Sequence, residues 1–406
     1  MPLQAHAGLR VGAAAVDVTP LELPVIQNGG FLEGAARLVA DPIFARALVV
    51  EGDELIAIVV VDSCMMDSEF CDRVKAAAAE KTGIAKDKIM LSATHTHSAP
   101  SVMNFCLGTR ADPKYTEFLP EKIVQAIIKA KAALRPAKAA WTRFDAGDFT
   151  QTRRWILRSG LEQVDPFGEK TVRANMHPGY QNPDAIGASG PTDPWFTLLS
   201  FRDLGDEPIA LLGNFSMHYF SGHAGISADY FGHYVRGMEK TGFPVAILSQ
   251  GTSGDSWRAD YSEPAPEIAV TIEQYAGALV EKSAAALEGL RYAADLPVGM
   301  AEKRLMIGRR LPDAKRLAWA RGVLLEMEGR RPKNRSEVYA EQAIYLHENP
   351  ETEVVLQAAR IGGMGMTSMP NEVYALTGLK LKYGSPFELT MNVELANGAS
   401  GYIPPP

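Results

Sequence analysis

The chain has 406 residues, 46% of them hydrophobic and 22% charged, the balance of a globular protein, which excludes a collagen, a coiled coil and a disordered tail. Its 41 Lys and Arg against 48 Asp and Glu give a net charge of -7, so the basic footprint that neutralises phosphates is missing and nucleic acid is not an expected partner. No apolar run is long enough to span a bilayer, and Cys64, Cys71 and Cys106, all in the first third, cannot form a disulfide framework across the chain. The opening MPLQAHAGLR carries no basic region followed by an apolar signal core. A soluble, cytoplasmic protein is therefore expected, or an exported one whose signal has been removed.

In chain order, apolar runs of strand length recur at 47–51, 55–62, 88–94, 139–143, 196–201, 209–215, 245–249, 354–361 and 388–395, most of them rich in Val, Ile and Leu and bounded by Gly, Asp or Pro. Helices are predicted between them at 68–82, 115–134 and 266–290, the last from Ile268, Ile272, Tyr275, Leu279 and Leu290 at helical spacing. A mixed α/β architecture follows. The stretch 150–194, crowded with Gly, Pro, Asn and Asp, reads as a long ordered loop over a site. Residues 311–347 read as helix interrupted near 329–334, either an insertion or lid, or a solvated hairpin. No internal repeat and no composition break is evident.

The sharpest chemical signal is SATHTHSAP at 92–100, directly after an apolar strand. Residues i and i+2 of an extended segment point the same way, so His95 and His97 are expected to project together from the strand end, an arrangement suited to metal binding or proton transfer. A second strand, 209–215, runs into NFSMH and delivers His218 to the same kind of place, where open α/β sheets keep their sites. His218 on its own reads equally as a satisfied core residue; His223 and His233 are weaker candidates, structural or supporting. A third strand leads into QGTSGDSW at 250–257, whose glycines permit a tight turn that exposes backbone N–H groups. That turn has neither the spacing of a nucleophile elbow nor the Gly-Lys-Ser/Thr of a phosphate loop.

THTHSAP at 94–100, NFSMH at 214–218, SADYFG at 227–232 and QGTSGDS at 250–256 together resemble the neutral, non-lysosomal ceramidases, zinc-dependent amidases. VGAAAVDVTP near the start, DPIFARALVV at 41–50, MPNEVYALTG at 369–378 and ELANGASGYIPP at 394–405 extend the resemblance along most of the chain. It implies a Zn²⁺ site made by His95, His218, Glu372 and Tyr402, a mixed nitrogen and oxygen shell suited to zinc. It also implies stacked mixed β-sheets flanked by helices, an α/β/β/α sandwich with the metal at the strand ends, and one catalytic domain over 1–406. From the residues alone, Glu372 reads as the start of a helix after Pro370, and Tyr402 as an aromatic on a proline-rich tail. His97 would exchange protons beside the metal, and Arg153, or Arg154 in the neighbouring register, would face the substrate. Within the same pattern Tyr402 or Arg153 would stabilise an oxyanion, and His97 or Asp255 would manage protons.

The sequence departs from that pattern in places. Trp257 stands where the family has a serine, with Ser256 one place earlier as its candidate replacement. The family's C-terminal immunoglobulin-like domain has no counterpart after Tyr402, so a catalytic-domain-only member is expected. Trp257 with Trp155, Asn175, His177, Tyr180 and Asn182 could shape a pocket for a polar or sugar-like substrate. The expected activity is hydrolysis of the amide bond of an N-acylated small molecule. The alternatives are a metal-dependent hydrolase of an ester or glycosidic bond, and a catalytically silent binding protein on the same fold.

Overall fold

An eight-stranded mixed sheet organises the first 250 residues. In the computed structural model, which describes residues 8–222 and 225–405, its strands are β1 (Arg10–Asp17), β2 (Phe44–Glu51), β3 (Leu55–Val61), β4 (Ile89–Ala93), β5 (Arg135–Asp145), β6 (Trp195–Asp203), β7 (Pro208–Phe215) and β8 (Ala246–Gln250). Their spatial order is β8-β7-β6-β5-β1-β2-β3-β4. A second sheet contains β9 (Val298–Gly308), β10 (Glu351–Ile361), β11 (Met364–Ser368) and β12 (Leu389–Val393), in that order.

One unit occurs three times in these sheets. In β1–β4, β5–β8 and β9–β12 alike, the first three strands pair antiparallel and the third and fourth pair parallel. Each parallel pair needs a crossover, and a helix supplies it: α1 (Ser68–Thr82), α3 (Asp229–Lys240) and α7 (Ala375–Gly384). The first two units join where β1 meets β5 at Val11 and Arg135. The repeat is one of strand order and direction, which is why no sequence period betrays it. It has a consequence for the site. The first, third and fourth strands of each unit run the same way, so the first-to-second connection lies at the same end as the carboxyl ends of the parallel pair. These connections are long, at 18–43, 146–194 and 309–350, and all three gather there.

Alternation along the strands builds two cores. Leu48 and Val50 of β2, with Ile56 and Ile58 of β3, face Met300, Ile361, Met366 and Val393 of the second sheet. Ala47 and Val49 face the opposite way, toward Phe70 and Val74 of α1 and Leu119, Ile123 and Ile127 of α2 (Pro113–Ala132). A third cluster joins Phe196, Leu211 and Leu248 to α3 and α4 (Ile272–Leu287). Two stacked mixed sheets flanked by helices are thus the observed architecture. Truncating a side chain between the sheets, such as Leu48→Ala, costs about 2–5 kcal/mol because the packed layers cannot collapse into the gap.

Local chemistry sets the helix ends. Asp67 accepts from the N–H of Phe70 at the start of α1, and Gly83 closes it with φ 71°. The helix expected over 266–290 starts only at Ile272, because Thr271 and Gln274 form a reciprocal capping box, and Ile268 is left 85% exposed. The segment 150–194 holds several short ribbons; Arg154–Leu157 pairs with both Ala174–Met176 and Ala185–Ala188. The segment 311–347 forms α5 (Ala314–Met327) and α6 (Arg335–Glu348), a hairpin inside the first-to-second connection of the third unit.

Candidate metal centre

His95, His218 and Glu372 meet at the carboxyl ends of strands from three different units. His95 follows β4, His218 follows β7 and Glu372 follows β11. His95 Nε2 lies 3.1 Å from His218 Nε2 and 3.3 Å from Glu372 Oε2, and His218 Nε2 lies 3.8 Å from the same oxygen. All three residues are buried.

His95 does not continue the strand pleat. Its φ is 68°, a left-handed conformation that costs a non-glycine residue roughly 1–2 kcal/mol. Two bonds hold it: its N–H donates to the Ser63 carbonyl at 2.9 Å, and its Nδ1 lies 3.0 Å from the Cys64 carbonyl. The extended geometry expected for this pair is therefore replaced by a turn, which brings His97 Nε2 to 3.1 Å from His95 Nε2 with the rings edge to face. On its other side His97 stacks on Tyr219 at 3.8 Å. Gly29, with φ 106°, packs directly on His97, where a Cβ would fall 2.6 Å from the histidine Cβ.

The tautomers follow from the outer bonds. The His95 Nδ1 proton is committed to the Cys64 carbonyl, which leaves a lone pair on Nε2. His218 Nδ1 faces Ser253 Oγ at 3.5 Å, and that hydroxyl donates to Glu394 Oε1 at 2.7 Å, so it receives the imidazole proton and leaves Nε2 of His218 bare as well. Glu372 Oε2 is buried without a hydrogen-bond donor. Two nitrogen lone pairs and an orphaned carboxylate oxygen aimed at one point repel one another unless a cation sits among them, so this donor set fits a metal ion.

Electrostatics around the group agree. Burial opposes charge on His95, but the adjacent Glu372 carboxylate outweighs it and raises the histidine's pKa. Burial, with the positive Arg153 and His95 nearby, drives His218 well below its ordinary value, and burial with His95 and Arg153 does the same to His97. Glu372 resists burial through His95 and stays low. Glu394 is different: burial pushes its pKa up to about 8, although Ser253 and the N–H of Val373 donate to it.

Tyr402 reaches the group through a two-residue parallel ribbon in which Glu372–Val373 pairs with Tyr402–Ile403. That ribbon replaces both simpler readings, a helix start at Glu372 and a loose tail at Tyr402; α7 begins only at Ala375. Tyr402 is half exposed, but its hydroxyl hydrogen-bonds Glu372 and accepts from Arg153 at 3.3 Å. Arg153 is buried and donates to the Gly254 carbonyl at 2.7 Å, whereas Arg154 turns away to Tyr374. Geometry thus places Arg153, of the two neighbours, beside the group.

The remaining candidates lie further out. Asp255 accepts from the first N–H of α7 through Oδ1 and from the Arg153 N–H through its carbonyl, and Ser256 pairs with Thr152. A cavity of about 550 Å³ reaches His95, His97, Glu372 and Tyr402, and neither Asp255 nor Ser256 lines it. Nor do Trp257, Trp155, Asn175, His177, Tyr180 or Asn182; Trp257 packs between Tyr219 and His177, and His177 bonds the Tyr261 hydroxyl. A second cleft of about 570 Å³, between 20–25 and the start of α2, contains no histidine. His233 stays on α3, and His223 lies outside the described residues. Sequence reasoning missed Cys64, Ser253 and Glu394, which orient the histidines. Glu394 directly follows β12, the same strand-end position that marked His95 and His218.

No family model matches the sequence. Among solved structures, the neutral ceramidase from Pseudomonas aeruginosa is similar with a TM-score of 0.68 and 20% identity over 98% of this chain and 69% of that one. A ceramidase complexed with C2 gives 0.70 and 17%, over 98% and 70%. The chain therefore has a ceramidase-like α/β fold, with a His/Glu group able to hold a metal at its strand ends. Among the described residues, no helix is long and apolar enough to cross a membrane.

Proposed function

We propose that this protein is a zinc-dependent hydrolase that cleaves the amide bond of an N-acylated compound, with His95, His218, Glu372 and Tyr402 holding the metal. The observation that carries the reading is the convergence of two bare imidazole nitrogens and a buried carboxylate oxygen, Glu372 Oε2, that has no donor, with His95 and Glu372 lining an open cavity. The ceramidase-like fold supports it and points to the amide as the bond. Bound zinc supplies Lewis acidity and an activated water near neutral pH.

The protein's own groups divide the remaining work. His97, held between His95 and Tyr219, takes a proton from the attacking water and returns it to the leaving amine. Arg153, fixed by the Gly254 carbonyl, directs its guanidinium toward the Tyr402 hydroxyl, where it can meet an oxyanion. Asp255 holds the Arg153 backbone and the start of α7, a positioning part rather than a proton carrier. Because each of the three units contributes a candidate ligand, and the segment after the third adds Tyr402, the chain acts as one catalytic unit, with α5–α6 as an insertion in the third. The test is turnover on matched N-acyl amides, esters and glycosides. Release of carboxylate and amine in equal amounts, abolished by chelation and restored by zinc, is expected. Turnover of esters or glycosides alone contradicts the choice of bond.

A further inference from the structure

We infer that Phe105 and Tyr345 set the length of acyl chain the cavity accepts, with α6 forming one wall of the substrate site; the identity of the substrate rests on the amide-hydrolase reading above. The cavity has two chemically distinct parts. At one end stand His95, His97, Glu372 and Tyr402. The rest of its apolar lining comes chiefly from Met65, Met103, Phe105, Leu107, Tyr345 and Leu346. Such a wall suits a flexible hydrocarbon, and unbranched methionines adapt to its conformers.

Phe105 and Tyr345 come from separate segments and stack with ring centroids 4.7 Å apart and planes 22° apart. The backbone that presents Phe105 is strained. Phe105 and Leu107 have φ of 58° and 53°, a region large apolar residues avoid. Cross-bonds hold them there: Gly108 N–H donates to the Phe31 carbonyl, Thr109 N–H to that of Cys106, and Ala111 N–H to the Asn104 side chain. Strain of this kind gathers at ligand sites. Phe105 nonetheless stays 47% exposed, so the strain presents a ring to the cavity instead of completing a core.

The other half of the stack depends on how α6 docks. The hairpin's own core is small, Ala320, Ala340 and Ala343 with Trp319, Val323 and Ile344 partly covered, while Met327 and Val338 are buried outside it. It is held to the strained loop by Gln342, which donates to the Leu107 carbonyl, and by Arg331, which donates to that of Gly108. Arg309, Asp67 and Glu69 also line the cavity. An acyl chain long enough to cover these charges would desolvate them without pairing them, which costs affinity.

Each methylene seated on an apolar wall contributes about a fourfold gain in affinity. With N-acyl-4-nitroanilides from acetyl to tetradecanoyl, kcat/KM of the zinc-loaded protein should rise about fourfold per methylene, then break at one length and fall. Tyr345→Ala and Phe105→Ala should move the break to longer chains, and Tyr345→Phe, which keeps the ring, should leave it in place. An unmoved break in both alanine variants overturns the inference; should Phe105→Ala fail to fold, the two Tyr345 variants decide. Calorimetric binding of the free carboxylates of the same lengths separates this claim from the activity. A length break that shifts with Tyr345→Ala, without turnover of any anilide, sinks the amide-hydrolase reading and keeps the selector. Binding that does not vary with chain length sinks the selector whatever the turnover.

Discussion

His95 Nε2 and His218 Nε2 stand 3.1 Å apart although 123 residues separate them in the chain. Each lies just past a strand of a parallel pair, in the first and second copies of one β-unit, and the third copy contributes Glu372. A single supersecondary rule, a site at the carboxyl ends of parallel strands, therefore operates three times around one point.

Arg153 should matter far more than its neighbour. Its guanidinium links the Gly254 carbonyl to the Tyr402 hydroxyl, while that of Arg154 donates to the Tyr374 hydroxyl. Steady-state kinetics of Arg153→Ala should show kcat/KM down by about a hundredfold to a thousandfold, mostly in kcat, as for the loss of one oxyanion donor. Equal losses from Arg153→Ala and Arg154→Ala would assign both residues to loop packing.

Gly29 is required by space and by backbone alike. With φ 106° and a would-be Cβ 2.6 Å from His97 Cβ, Gly29→Ala should destabilise the fold by about 1–3 kcal/mol and displace the His97 ring. Chemical denaturation and turnover should both register the change. A variant with wild-type kcat would separate His97 from the chemistry.

Glu394 gives stability a pH dependence of definite sign. Its folded pKa, raised by burial to about 8, lies above the unfolded value of about 4.3. The folded state thus holds the extra proton between those values, and stability falls as pH rises through that window, by at most about 1.4 kcal/mol per unit, before levelling off above about 8. In metal-free protein, Glu394→Gln should flatten this slope relative to wild type. Parallel denaturation curves for the two proteins across that window would contradict the assignment.

Much of this was legible in the sequence because strand interiors are written locally. All nine predicted strand runs fall on observed strands, and the helix over 68–82 matches α1 residue for residue. Strand β9 escaped because Glu302, Lys303 and Arg304 interrupt its apolar pattern, Glu302 and Arg304 making buried or half-buried ion pairs. Helix α3 escaped behind the glycines and aromatics of DYFGHYVRG, and α7 is only ten residues long. At the site, His95 and His218 announce themselves as strand-end histidines. Glu372 and Tyr402 do not, because what unites them is a two-residue ribbon between segments thirty positions apart. The turn at His95 was equally hidden, since only the tertiary bonds to Ser63 and Cys64 impose its left-handed backbone.

The most direct measurement is the metal content of protein purified without added zinc, compared with His95→Ala, His218→Ala and Glu372→Gln. Wild type should carry roughly one zinc ion per chain, and each variant should carry much less while keeping its fold. Full occupancy retained in both histidine variants, or a wild type that takes up no metal even when zinc is supplied, would contradict the metal centre at His95, His218 and Glu372.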